Sequence, residues 1–136
     1  MTLDEPDCWS RLAGAGHGVL ATVHPTRGVD AVPVVFVLAG GAILIPVDRV
    51  KPKRPGRLQR LRNIDSDDRC VLLVEHYADD WSQLWWVRVH ARAAVSQATV
   101  AVAARFGESF AAYRAPAAIA EVISLHPTAV AGWAAT

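Results

Sequence analysis

Residues 31–47 carry no charge, yet Pro33, Gly40, Gly41 and Pro46 interrupt the run. A membrane-spanning helix needs about 20 unbroken apolar residues, and an internal proline removes a helical hydrogen bond. The segment therefore reads as a buried β-hairpin, with strands at 29–38 and 42–47 joined at Gly40-Gly41, a pair that accepts the positive φ of a tight turn. A chain organised around such a hairpin is directed toward an antiparallel β fold.

The flanking segments agree. Residues 17–23 are β-branched and apolar enough for a first strand, and His-Pro-Thr-Arg-Gly at 24–28 carries turn chemistry. Residues 69–77 form an apolar strand. In 84–95, Trp86, Arg88, His90 and Arg92 alternate with Trp85, Val87, Val89 and Ala91, the period of a half-exposed strand. A last strand is expected at 118–125, stopped by His126-Pro127. Helices are expected at 7–13, capped by Asp4 or Asp7, at 57–64 and within 97–113, the last broken at Gly107. Leu58, Leu61 and Ile64 give the second helix one buried stripe and set Arg57 and Arg60 together on another face, with Asp65-Ser66-Asp67-Asp68 breaking it. Six strands joined mainly by hairpins, with a few short helices, predict a mainly β, six-stranded antiparallel barrel in a single domain, 1–136.

Charge is focused. Seven of the fourteen Lys and Arg residues lie within 49–62, with no acid among them, although the net charge is only +1. Such a patch attracts phosphates or carboxylates, and its place between a strand and a helix start suits an anion seat. Pro52 and Pro55 stiffen it. An arginine grips phosphate in a bidentate way, whereas Lys51 and Lys53 act as point charges; Asn63 adds an amide donor. The patch is short and without interleaved aromatics, which argues against a nucleic-acid module. Trp81, Trp85 and Trp86, three of five tryptophans, offer a wall for a flat ring. Apolar walls with one cationic corner fit a ligand with a ring at one end and an anion at the other.

Other signatures are missing. There is no Gly-rich phosphate loop, Cys-x-x-Cys or nucleophile elbow, and no catalytic residue is singled out. Five histidines are scattered without ligand spacing, so no metal is expected and haem has no local support. Cys8 and Cys70 read as reduced packing residues. The acidic N-terminus is unlike a signal peptide, so a cytoplasmic protein without membrane partners is expected. With 52% apolar and 20% charged residues, extra apolar surface is expected to be covered by a second copy.

Three stretches resemble the pyridoxamine-phosphate-oxidase-like split-barrel family, in its small actinobacterial flavin- and deazaflavin-dependent branch. They are Gly18-Val19-Leu20-Ala21-Thr22 with Pro33-Val34-x-Phe36; residues 57–64 followed by Asp68-Arg69; and residues 122–127 through Gly132-Trp133. The resemblance implies a homodimer of split β-barrels with cofactor sites at the subunit interface. It implies an oxidoreductase that uses coenzyme F420, whose phosphodiester and polyglutamate tail suit many cations, to deliver a hydride to a small organic substrate. The alternatives are FMN on the same fold or a non-catalytic cofactor carrier. By resemblance, the cofactor contacts map to Asp48, Lys53, Arg57, Arg60 and Asn63, with Lys51 as a further charge, Pro33 beside the ring, and the segment carrying Trp81, Trp85 and Trp86 closing the pocket. The loop at 51–55 is longer than in related short members, and the Arg-x-His pair of true pyridoxamine phosphate oxidases has no counterpart here, so that reaction is not expected.

Overall fold

The computed structural model describes residues 1–48, 57–115 and 118–136. Helix α1 (Glu5–Gly14) starts at Asp4, whose side chain accepts from the Asp7 backbone N–H. Strands β1 (His17–His24) and β2 (Gly28–Val35) form the first hairpin. Strands β3 (Val37–Ala39) and β4 (Ala42–Asp48) form the second, with Gly40 and Gly41 at φ of 56° and 81° as the turn requires. Helix α2 (Gln59–Ser66) leads into β5 (Arg69–His76), β6 (Trp85–Gln97), α3 (Val100–Ser109) and β7 (Ile119–Ala134).

Seven strands form one antiparallel sheet, ordered β2-β1-β5-β6-β7-β4-β3. Its two ends, β2 and β3, are separated in the chain by Phe36 alone, so the ribbon bends round on itself into a barrel. This is also why seven strands stand where six were expected: the strand anticipated at 29–38 is divided at Phe36. That side chain is buried, and its N–H leaves the ladder to reach the Gly16 carbonyl at 3.0 Å. The first half of the strand pairs with β1 and the second with β4.

Inward residues fill the barrel. Leu20, Ile43, Ile45, Leu72, Val74, Val87, Val89, Ile123 and Leu125 form the main core with Leu12 of α1 above it. Each large aliphatic side chain stabilises by roughly 1.5–3 kcal/mol when fully buried. A second cluster packs Phe106 of α3 against Val37, Leu44, Ile119 and Val122 on the far side of β4. Gly18 is required for close approach, since a Cβ there would lie 2.6 Å from the Leu73 carbonyl oxygen.

Three expectations are corrected. Strand β7 runs through His126-Pro127 instead of ending there. The register with β6 shifts between His90 and Ala91, the Thr128 hydroxyl donates to the His90 carbonyl at 3.1 Å, and the bulge absorbs the missing proline donor. Gly107 lies within α3, which ends at Ser109; Arg114 donates to its carbonyl at 3.3 Å where the chain passes close. Finally, α2 starts at Gln59, leaving Arg57 outside it, and includes Asp65 and Ser66.

Candidate functional site

At the start of β5, the barrel is closed by a buried polar network. Asn63 is 0% exposed. Its Nδ2 donates to Thr22 Oγ1 at 3.0 Å and to Asp30 Oδ2 at 2.9 Å, and its Oδ1 accepts from Gln59 at 2.8 Å. Arg27 grips the same Asp30 carboxylate in a bidentate way, at 2.8 and 2.9 Å. The Arg27 and Asn63 bonds together pull the Asp30 carboxyl down to about 2. Asn63 thus ties α2 to the β1–β2 hairpin. Both polar groups of its side chain, expected to meet a cofactor, are engaged within the chain. Thr22, at a core-facing strand position, was the sequence signal for a buried polar partner, but its mate 41 residues away was not readable.

The cations around α2 are partly neutralised. Arg57 bonds Asp65 at 2.9 Å and approaches Glu121 at 3.6 Å, so it does not pair with Arg60 on a free helical face. The bond to Asp65 holds its proton more firmly than usual. Arg60 is half-buried on α2. Asp48 ends β4, its backbone opposite Ile119 across a register shift. Lys51 and Lys53 lie outside the described residues.

The tryptophans occupy the other end. His76 pairs with Trp85 at the far end of the β5–β6 ladder, whereas Arg69 pairs with Arg92 at the α2 end. At roughly 3.3 Å per residue these ends are about 23 Å apart. The three tryptophans do not form one wall. Trp85 faces inward, stacked on His76 at 6.2 Å and with the Arg11 guanidinium 5.4 Å from its ring centroid. Trp86 points to the opposite face under Arg88, 5.2 Å away, with its backbone opposite Trp133. Trp81 is 73% exposed on a short turn capped by Asp80, whose carboxyl is lowered by the bonds from Ser82.

Pro33 is exposed between these ends, on the outer face of the sheet. It lies opposite Val19, which in turn lies opposite Leu73, and both neighbours are exposed apolar residues. Ala31, Ala21 and Val71 continue the strip in the next row. One chain therefore presents a cationic end, an aromatic end and an apolar face between them.

The histidines stay apart, and no cluster that could hold a metal occurs among the described residues. His24 spends its Nδ1 accepting the Thr26 and Arg27 N–H groups in the first hairpin turn. Cys8 and Cys70 are free and buried. Burial raises both thiols, Cys70 to about 11, which suits packing rather than thiolate chemistry. Among the described residues, no helix is long and apolar enough to cross a membrane.

No protein-family model matches this chain, and no curated protein does. Solved structures match over nearly the whole length. An FAD-binding protein from Mycobacterium smegmatis aligns over 98% of this chain and 96% of its own, at 18% identity and a TM-score of 0.66. A candidate pyridoxamine 5'-phosphate oxidase from Corynebacterium glutamicum aligns over 97% and 94%, at 17% identity and 0.68. The heme storage protein HutZ from Vibrio cholerae aligns over 93% and 92%, at 14% identity and 0.68. Identities this low speak for the fold alone: this chain is a mainly β, antiparallel barrel built like the pyridoxamine-phosphate-oxidase-like split barrels.

Proposed function

We propose that this protein is an oxidoreductase that holds coenzyme F420 between two copies of the chain and passes a hydride between it and a small organic substrate. The observation that carries the reading is the separation of the cationic α2 end from the tryptophan end by the length of β5. A ligand with a ring and an anionic tail meets both chemistries if one copy supplies the cations and the other the aromatics. The exposed strip of Pro33, Val19 and Leu73 is the surface on which the copies meet. When bound, the cofactor supplies the hydride. The protein's part is to anchor the tail through Arg60 and the 49–56 segment, to shield the ring with Trp81, and to exclude water.

A flavin is the second reading, favoured by one specific observation. Arg57 is already shared between Asp65 and Glu121, which leaves fewer cations for a long polyanionic tail than the sequence count implies. The FAD-binding neighbour lends support to the same reading.

Fluorescence titration with F420, FMN and FAD separates the two. Micromolar F420 binding that weakens on R60A, with poor flavin binding, supports the first reading. A preference for FMN or FAD moves the protein to the second. Binding of none of the three removes both, and a Soret shift on adding hemin instead would point to haem.

A further inference from the structure

A cleft opens at the C-terminal end of α1. It occupies about 410 Å³ between the end of α1, strand β3 and the end of α3. The cleft adjoins β3, and none of its lining residues lies on α2 or is a tryptophan. Its volume is in the usual range for small-molecule sites. Phe36, Leu38 and Phe110 give it apolar walls, and Arg105 and Ser109 enter it from α3.

Arg105 lines this cleft without a carboxylate partner among the described residues, as Arg114 does outside it, where that side chain bonds the Gly107 carbonyl. Arg27, Arg57, Arg69 and Arg92 each have a carboxylate partner, and Arg11 and Arg88 lie over tryptophan rings. Arg105 is half-buried and bonded at 2.7 Å to the Ser109 hydroxyl. Among the described residues, no carboxylate comes within ion-pair distance of it. The Ser109 bond orients the guanidinium without cancelling its charge, so an anion entering the cleft gains a charge-assisted contact. The opposite wall has the reverse polarity. It is the C-terminal end of α1, Ala13 and Gly14, where a helix presents carbonyls and the negative end of its dipole.

We propose that this cleft binds a small carboxylate that also carries a hydrogen-bond donor, the class of a 2-amino or 2-hydroxy acid with an apolar side chain. The carboxylate meets Arg105 and Ser109, the donor meets the α1 carbonyls, and the side chain lies on Phe36 and Phe110. The proposal is independent of the cofactor reading.

The test is amide NMR titration of the full chain with L-leucine, leucinamide and 4-methylpentanoate. Leucinamide lacks the carboxylate, and 4-methylpentanoate lacks the amine. The expected result is saturable leucine shifts confined to the ends of α1 and α3 and to β3, with both analogues about tenfold weaker. R105Q should remove the preference for leucine over leucinamide. Gly16→Leu should abolish binding, because the added side chain would fill the cleft from beside the Phe110 ring, which a Cβ there already meets at 3.6 Å. The proposal is overturned if no cleft shifts appear up to about 10 mM, if leucinamide binds as well as leucine, or if R105Q binds both ligands as the parent does.

Discussion

The two ends of the β5–β6 ladder solve different problems. At the α2 end, charged and polar groups are numerous, and those of Asn63, Asp30, Arg27 and Arg57 are matched within the chain. At the other end, large aromatics are left open, Trp81 and Tyr77 above all. Matched polar groups fix geometry, because a buried donor without an acceptor costs more than the bond contributes. Uncovered aromatics hold no such geometry and gain most when something covers them. The Asn63 network at the first end is completed by folding; the aromatics of the second are left for a partner surface or a ligand to cover.

That contrast can be broken by substitution. The largest effect is expected for Asn63→Ala, which strands the Thr22 hydroxyl and part of the Asp30 carboxylate: a loss of about 3 kcal/mol in urea unfolding. A loss under about 1 kcal/mol would mean that water replaces the amide and that the α2 end is less closed than its bonds indicate. Next is Gly18→Ala, which must push β1 from the Leu73 carbonyl and should cost about 2 kcal/mol by the same measurement.

At the aromatic end, Trp81→Ala should change stability by no more than about 0.5 kcal/mol while weakening cofactor binding in the fluorescence titration. Stability loss without affinity loss would assign Trp81 to the fold. Leu73→Lys, on the exposed strip, should leave the monomer folded and shift sedimentation toward monomer. An unchanged sedimentation profile would overturn the proposed contact between copies through this strip.

The smallest effect concerns acid. Asp30 titrates at about 2 in the fold, against 3.8 ordinarily. The unfolded chain therefore takes up its proton first as pH falls. The stabilisation is complete above about pH 4 and is lost as pH drops through 2. Asp30→Asn should flatten that limb of the stability profile and leave the limb above pH 5 parallel to the parent. A parallel acid limb would assign the acid sensitivity to another carboxylate, Asp67 being the next lowered.

Strand positions were legible wherever local pattern decides them: the alternation in β6, the uncharged hairpin with its paired glycines, and the caps of α1. Errors arose where a distant residue overrules the local signal. Pro127 looks like a stop until a bulge opposite His90 receives it. Gly107 looks like a break until Arg114 closes on its carbonyl. Asp65 looks like a helix breaker until Arg57 holds it.

The candidate site follows the same division. Composition and spacing determined that this chain carries a concentrated basic segment, a tryptophan-rich segment and a hairpin-built barrel, since these depend on residue type and short-range periodicity. Only the tertiary structure decided that the amide of Asn63 is spent inside the fold and that α2 and the tryptophan segment lie a strand's length apart. Those outcomes depend on register and barrel closure, which set residues tens of positions apart against one another and leave no mark in local sequence.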